Sequence, residues 1–451
     1  MIYIFISLFS SILHAKELTL QDVHKEVLEK MPLIIQAEEK VRASEGNLES
    51  QMGTFDHKLK FSTQKQIADK YDNNRWDARL ERQTPWFGTK IYAGQRQGLG
   101  SFASYDGKYK TSPAGEFFGG VEIPLLRNRS IDESRLLRAN ASIEVERQKE
   151  LLRLKKIEIK QKATHLYFKW VSTGKKLQIL KKLVQTAEER QTFYEKKYQK
   201  GDVEKIKLTD NLRTLSKRKA EYLRGEKDLE LARLELELYL GGNIKLLEEN
   251  LPNELKLNTV DNKILLHRVK NKVPIFKVID KEIEQLSNER EFAASLTNPE
   301  MNLAVEGAKD SGNSANIRDE NELRVGLKIE IPLENRKGEG KSAEVRAKLR
   351  AIEAQKDWLH KQWENALDQT KRQIEIIQEQ FLMQEQEVDA TAKMARAEQI
   401  RLAHGDSDVF FVNIREQDEA EARLKYIDTI AIHGMVVADL LAINGIWAEE
   451  F

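Results

Sequence analysis

The side chains able to do chemistry are plentiful in this chain, but their spacing fits no catalytic site. Its histidines are His14, His24, His57, His165, His267, His360, His404 and His433. No two of them stand in an HExxH pair, which would set two imidazoles and a general base on one helical face. Neither a GxxxxGK[ST] phosphate loop nor a GxSxG nucleophile elbow is present. The absence of cysteine removes thiolate metal ligands, disulfides and a Cys nucleophile, and argues against an N-terminal lipid anchor. Carboxylates abound, but in a chain that is 33% charged and only 7% aromatic they read as solvated helix faces. Lys+Arg 74 against Asp+Glu 73 gives no electrostatic case for nucleic acid. The expectation is a non-enzyme with no cofactor and no metal.

The elements that carry these residues are written twice. Pro32, Pro124 and Gly201 have counterparts in Pro274, Pro332 and Gly405, in the same order and at offsets of 242, 208 and 204 residues. A duplication this long is no ordinary solenoid repeat. Each copy joins a strand-like section to very long helices. From Ser134 to Tyr198 there is no proline, and Ile159, Ala163, Leu166, Trp170, Thr173, Leu177, Leu180, Val184, Ala187, Gln191, Tyr194 and Tyr198 keep an alternating 3–4 spacing. That period is a coiled-coil seam, and 65 residues of helix span roughly 100 Å. Leu349, Ile352, Leu359, Trp363, Ala366, Thr370 and Ile377 form the second copy's stripe. A second helix returns from each tip glycine, to Gly241 and to Gly445. Gly201 and Gly405 therefore mark the reversals of two antiparallel hairpins, where a left-handed residue is needed.

Residues 55–124 change character. Leu59, Phe61, Thr63 and Ile67 alternate with polar residues, as do Trp76, Ala78 and Leu80, and glycines crowd the stretch that follows. Period-two alternation broken by Gly/Asn/Asp clusters predicts strands and hairpins. The second copy has a shorter equivalent over 299–332, so the first carries an insertion, which contains Pro85, Trp86, Phe87 and Gly88. Trp76, Trp86, Phe87, Tyr92, Phe117 and Phe118 are either an interfacial girdle or packing residues. Trp170, Trp358 and Trp363 read as seam residues. Residues 1–15 form a short apolar run ending in Ala15, which predicts a signal peptide. The two repeats are then 16–258 and 259–451. No later run approaches about 18 unbroken apolar residues, so any membrane entry would be as a β-barrel.

Several segments together resemble the TolC family of outer-membrane efflux and secretion channels. LTLQDVHKEVLEKMPLIIQAEEKV is similar to the family's amino-terminal helix. VEIPLLRNRSIDESRLLRANASIE and GLKIEIPLENRKGEGKSAEVRAKL, around Pro124 and Pro332, resemble its paired strand–helix junctions. YQKGDVEKIKLTDNLRTL and LAHGDSDVFFVNIREQDEAEARL resemble its hairpin tips. The resemblance covers nearly the whole chain after the leader. It implies a mainly α fold with a β-barrel part, in which about four membrane strands per protomer close only as a trimer. It further implies an outer-membrane location with a large periplasmic portion, and a passive conduit. The implied partners are a periplasmic adaptor protein, an inner-membrane RND or ABC transporter and outer-membrane lipid. The rival reading is a structural periplasmic coiled-coil scaffold.

The resemblance also points to the tips. Tyr198, Lys200, Gly201, Leu402, His404 and Gly405 would meet the adaptor. Family members often close the tunnel with aspartates just past the second tip glycine, yet the corresponding positions here are Phe411 and Ile414. Asp406 and Asp408 could still make an acidic ring. Phe410 or Phe411 could instead make an apolar constriction that gates by dewetting. A third option leaves the phenylalanines as packing knobs and the aspartates as turn caps.

Overall fold

A computed structural model describes residues 17–67, 70–242, 245–247, 250–252, 273–312 and 321–447. The expected signal peptide and the boundary between repeats at 258 and 259 lie outside the described residues. In chain order the elements are α1 (Leu20–Lys30), α2 (Pro32–Met52), β1 (Lys58–Ile67), β2 (Asp72–Gln83), β3 (Lys90–Gly100) and β4 (Glu116–Pro124). Then come α3 (Glu133–Gln199), α4 (Lys205–Tyr239), α5 (Pro274–Ser295), β5 (Glu300–Asp310), β6 (Asn321–Glu330), α6 (Arg336–His404) and α7 (Val409–Ile443). They fall into two units.

One unit is helical and contains the chain up to Glu38, Leu151–Pro274 and the chain from Leu359 on. Thr19 starts α1 with a reciprocal capping box, its hydroxyl accepting the Asp22 N–H while Asp22 accepts the Thr19 N–H, both at 3.2 Å. Pro32 ends α1 because the residue before a proline is pushed out of the helical region; Met31 is extended. The α3 seam buries Ile159, Ala163, Leu166 and Trp170 against Val23, Val27 and Ile34 and against Leu236 and Leu240 of α4. Gly434 on α7 has no room for a side chain, since a Cβ would lie 2.3 Å from the Phe168 ring. α4 and α7 are both 35 residues long. Among the described residues α7 is the one helix long and apolar enough to cross a membrane. Its Ala431 and Ala438 pack in the cores of this unit, and its Asp428 and Asp439 pair with Lys176 and His165. α7 therefore reads as a core helix. Trp363 is buried and donates to the Ile443 carbonyl at 2.8 Å, but Trp358 is 61% exposed, contrary to its expected place on the seam.

The other unit comprises Glu39–Glu150 and Ile275–Trp358. It holds one antiparallel sheet in the order β1-β2-β3-β4-β5-β6. The sheet has six strands, four from the first strand section and two from the second, where the resemblance implies about four membrane strands. The insertion supplies the difference: β2 and β3 are 12 and 11 residues long and pair along their whole length. Pro124 closes β4, and Pro332 lies just beyond β6. At the first junction Arg135 wraps the turn, donating to the carbonyls of Asn128, Arg129 and Ser130 and to the Asp132 carboxylate.

Candidate functional site

The register divides the sheet into a charged face and a mainly apolar one, which also carries Lys65, Arg82, Gln95, Gln97 and Lys309. Partners across a ladder point the same way and side chains alternate along each strand. One face carries Leu59 and Phe61 of β1, Ala78 and Leu80 of β2, Ile91 and Ala93 of β3, and Phe117, Val121 and Ile123 of β4. It continues with Leu303 and Val305 of β5 and Leu323, Val325, Leu327 and Ile329 of β6. Most of these large apolar side chains are exposed, Leu323 by 73% and Phe61 by 67%. A soluble sheet would bury such a face; one in lipid would not.

The opposite face is a web of charge. Arg96 pairs with Glu116, and with Glu306 at 2.9 Å. Arg324 reaches Glu306 at 3.0 Å and Glu116 at 2.5 Å, and also pairs with Glu322. Glu81 takes Lys60 at 2.6 Å, with Arg79 and Lys90 nearby. Gly120 lets the Tyr92 ring lie along the sheet, where its hydroxyl donates to Glu306 at 3.1 Å; a Cβ there would sit 2.7 Å from the ring. This splits the expected aromatic girdle. Trp76 and Phe117 are on the apolar face and Trp86 and Phe87 are exposed in the β2–β3 turn, but Tyr92 and Phe118 are buried on the charged face.

The segment between β3 and β4 folds over the charged face. Arg75 stacks on the Tyr109 ring at 4.6 Å, and a Cβ at Gly98 would lie 1.9 Å from the Tyr109 carbonyl oxygen. The Ser112 N–H donates to both Asp310 oxygens at 3.0 Å. Beneath it is a cleft of about 810 Å³ lined by Arg75, Asp77, Arg96, Glu116 and Arg324 among others.

In the helical unit both hairpin tips are Schellman turns. Gly201 (φ 79°) and Gly405 (φ 85°) are left-handed. The Asp202 N–H donates to the Lys197 carbonyl and the Asp406 N–H to that of Arg401, at 3.0 and 2.9 Å. Tyr198, Lys200 and His404 are exposed beside them and Leu402 is half-buried. Asp408 caps α7, accepting the Phe410 N–H at 3.0 Å, and pairs with Lys207 of α4 at 2.8 Å. The Lys207 ammonium, and then the Phe410 N–H, hold its carboxyl below the usual carboxylate range. Phe410 and Phe411 are 46% and 53% exposed and stack edge to face at 5.6 Å. Asp406 is exposed in the turn.

A buried charge cluster in this unit was not foreseen from the sequence. Glu416 of α7 accepts from Arg190 of α3 at 2.7 and 3.2 Å, from Arg218 of α4 at 3.1 Å and from Gln399 of α6 at 3.2 Å. Burial alone would raise its pKa, but the two guanidinium groups outweigh this and lower it. The Arg218 side chain is 1% exposed. Its clue in the sequence was position: Asn211, Leu215 and Arg218 lie on the buried stripe of α4.

No protein-family model matches the sequence, and no curated protein matches it. Solved structures do. The outer-membrane protein VceC of Vibrio cholerae superposes with a TM-score of 0.67 at 12% identity, over 94% of this chain and 96% of that one. The MtrE outer-membrane channel of Neisseria gonorrhoeae gives 0.67 at 12% identity, over 94% and 88%. The CmeC outer-membrane channel of Campylobacter jejuni gives 0.66 at 11% identity, over 94% and 85%. At such identities the likeness shows the fold, and the fold is that of the TolC-type outer-membrane channels.

Proposed function

We propose that this chain, built on the TolC-type channel fold, is the outer-membrane exit duct of an export system. It works as a passive homotrimer with a periplasmic adaptor and an energised RND or ABC transporter in the inner membrane. The observation that carries this reading is the sheet with one exposed apolar face and one ion-paired face, which suits a barrel wall between lipid and water. Neither sheet edge is paired among the described residues, and open edges cannot stand in hydrocarbon, so closure needs further copies. The export energy comes from a partner, since the sequence has no nucleotide-binding loop. A soluble scaffold would have no use for the apolar face.

The hairpin tips are read as the adaptor contact and the constriction. With Asp408 engaged by Lys207 and by its own helix, the exposed Phe410–Phe411 pair is the group we assign to the gate, as an apolar constriction. Asp406 is left as a charged rim. The test is fractionation of cells expressing the protein: heat-modifiable trimers in the outer membrane are expected. A soluble elongated dimer would show the scaffold reading to be right instead.

A further inference from the structure

We propose that all six strands span the membrane, so that closure of three copies gives a barrel of 18 strands, β1 of each copy pairing with β6 of the next. The inference rests on the channel reading above and goes beyond it in strand number, edge pairing and pore width. The strands are 9 to 12 residues long, which suits a tilted membrane strand. β2 and β3 are read as spanning strands because Ala78, Leu80, Ile91 and Ala93 carry the apolar face from β1 to β4, with Arg82, Gln95 and Gln97 also standing on it. Their opposite sides continue the charged face through Arg79, Glu81 and Arg96.

The two edges fit a second copy of this chain. Strand direction alternates along the meander, so β1 and β6 run antiparallel and a ring of copies closes with antiparallel pairing throughout. Both edge strands are 10 residues long, and neither contains a proline or breaks register. Natural proteins usually disable edges that are meant to stay free. Lys58 opens β1 and Glu330 closes β6, at the same end of the sheet and on the charged face; among the described residues neither forms an ion pair within the chain. Barrel diameter grows about linearly with strand number, so 18 strands enclose a lumen about 1.5 times as wide as 12 would. The additional width accommodates the β3–β4 segment that lies over the charged face, with Tyr109 against Arg75.

The cysteine-free sequence allows a direct test on the full-length protein in proteoliposomes. Ala78→Cys and Ala93→Cys, each carrying a bimane, should be quenched by nitroxide lipids as strongly as Leu327→Cys on β6. Asp77→Cys should react with a membrane-impermeant maleimide. A Ser62→Cys/Gly326→Cys double variant treated with a short bismaleimide should give a covalent ladder ending at three chains. If the ladder closes while positions 78 and 93 are unquenched and react with the aqueous maleimide, the 18-strand barrel is wrong and the channel reading stands. A ladder that runs past three chains, or none in inserted protein, overturns the edge pairing. Failure of Leu327→Cys itself to be quenched removes the channel reading and this inference together.

Discussion

Replacing Glu416 with glutamine tests whether the buried charge cluster holds the helical unit together. The substitution keeps the volume and one acceptor oxygen but removes the carboxylate that pairs with both Arg190 and Arg218. Their side chains are 12% and 1% exposed, so water cannot take over. Leaving buried charges without their partner typically costs about 3–5 kcal/mol. An exposed pair such as Arg372–Glu375, with side chains 67% and 62% exposed, contributes about 1 kcal/mol or less. Glu416→Gln should therefore destabilise the unit several-fold more than Glu375→Gln, measured by urea unfolding with hydrogen exchange around residues 183–218 and 399–416. The acid limb should change too. Because the folded pKa is lowered, the carboxylate's contribution is present above its ordinary value of 4.5 and is lost as pH falls through the lowered one. Removing the carboxyl should flatten that limb. Replacing the ion set by apolar residues (Arg190→Met, Arg218→Met, Glu416→Leu) should recover much of the loss. A Glu416→Gln protein within about 0.5 kcal/mol of the parent, a change typical of a surface substitution, would refute the argument.

The same physics gives outcomes elsewhere. Val325→Arg on the apolar face should cost about 2–4 kcal/mol of membrane-folded stability, whereas Gly326→Arg on the charged face, where a side chain has open space, should cost far less; equal effects in lipid-refolding titrations would contradict the face assignment. His24 is held to a pKa of about 4 by burial and then by Lys160. Its neutral form thus contributes stability above pH 6.5 that is lost as pH falls from 6.5 toward about 4, about 3 kcal/mol in all, and His24→Gln should remove that slope from acid melts. A Cβ added at Gly405 meets no atom within 4 Å, so Gly405→Val should impose chiefly the left-handed backbone cost, about 1–2 kcal/mol. It should impair export in a drug-susceptibility assay while trimers still form.

What could be read from the sequence follows from how far each feature depends on spacing. The α3 seam was legible because a 3–4 rhythm over twelve positions has one structural solution, and Ala163, Leu166, Trp170 and Ala187 are indeed buried. The tips were legible because glycine at a helix end has a backbone reason. β1 and the start of β2 announced themselves by alternation, and Leu59, Phe61, Trp76 and Ala78 do share a face. β3 did not: Gly94, Gly98 and Gly100 occupy its charged face and make it look like loop, although two of them give room to the Phe118 ring and the Tyr109 backbone. That disguise hid one strand, β3. The Glu416 cluster was hard to read for another reason, the spacing of Arg218 with Asn211 and Leu215 being its one clue. In a chain one-third charged, Arg190, Arg218 and Glu416 look like any solvated residues until the helices that bring them together are placed.

In the proposed channel the charged face of the sheet lines a water-filled pore. Conductance of the purified trimer in a planar lipid bilayer tests it most directly. Uniform, long-lived current steps are predicted, one per inserted trimer. Protein that inserts as trimers yet passes no current, even with Phe410 and Phe411 both replaced by serine, would contradict it.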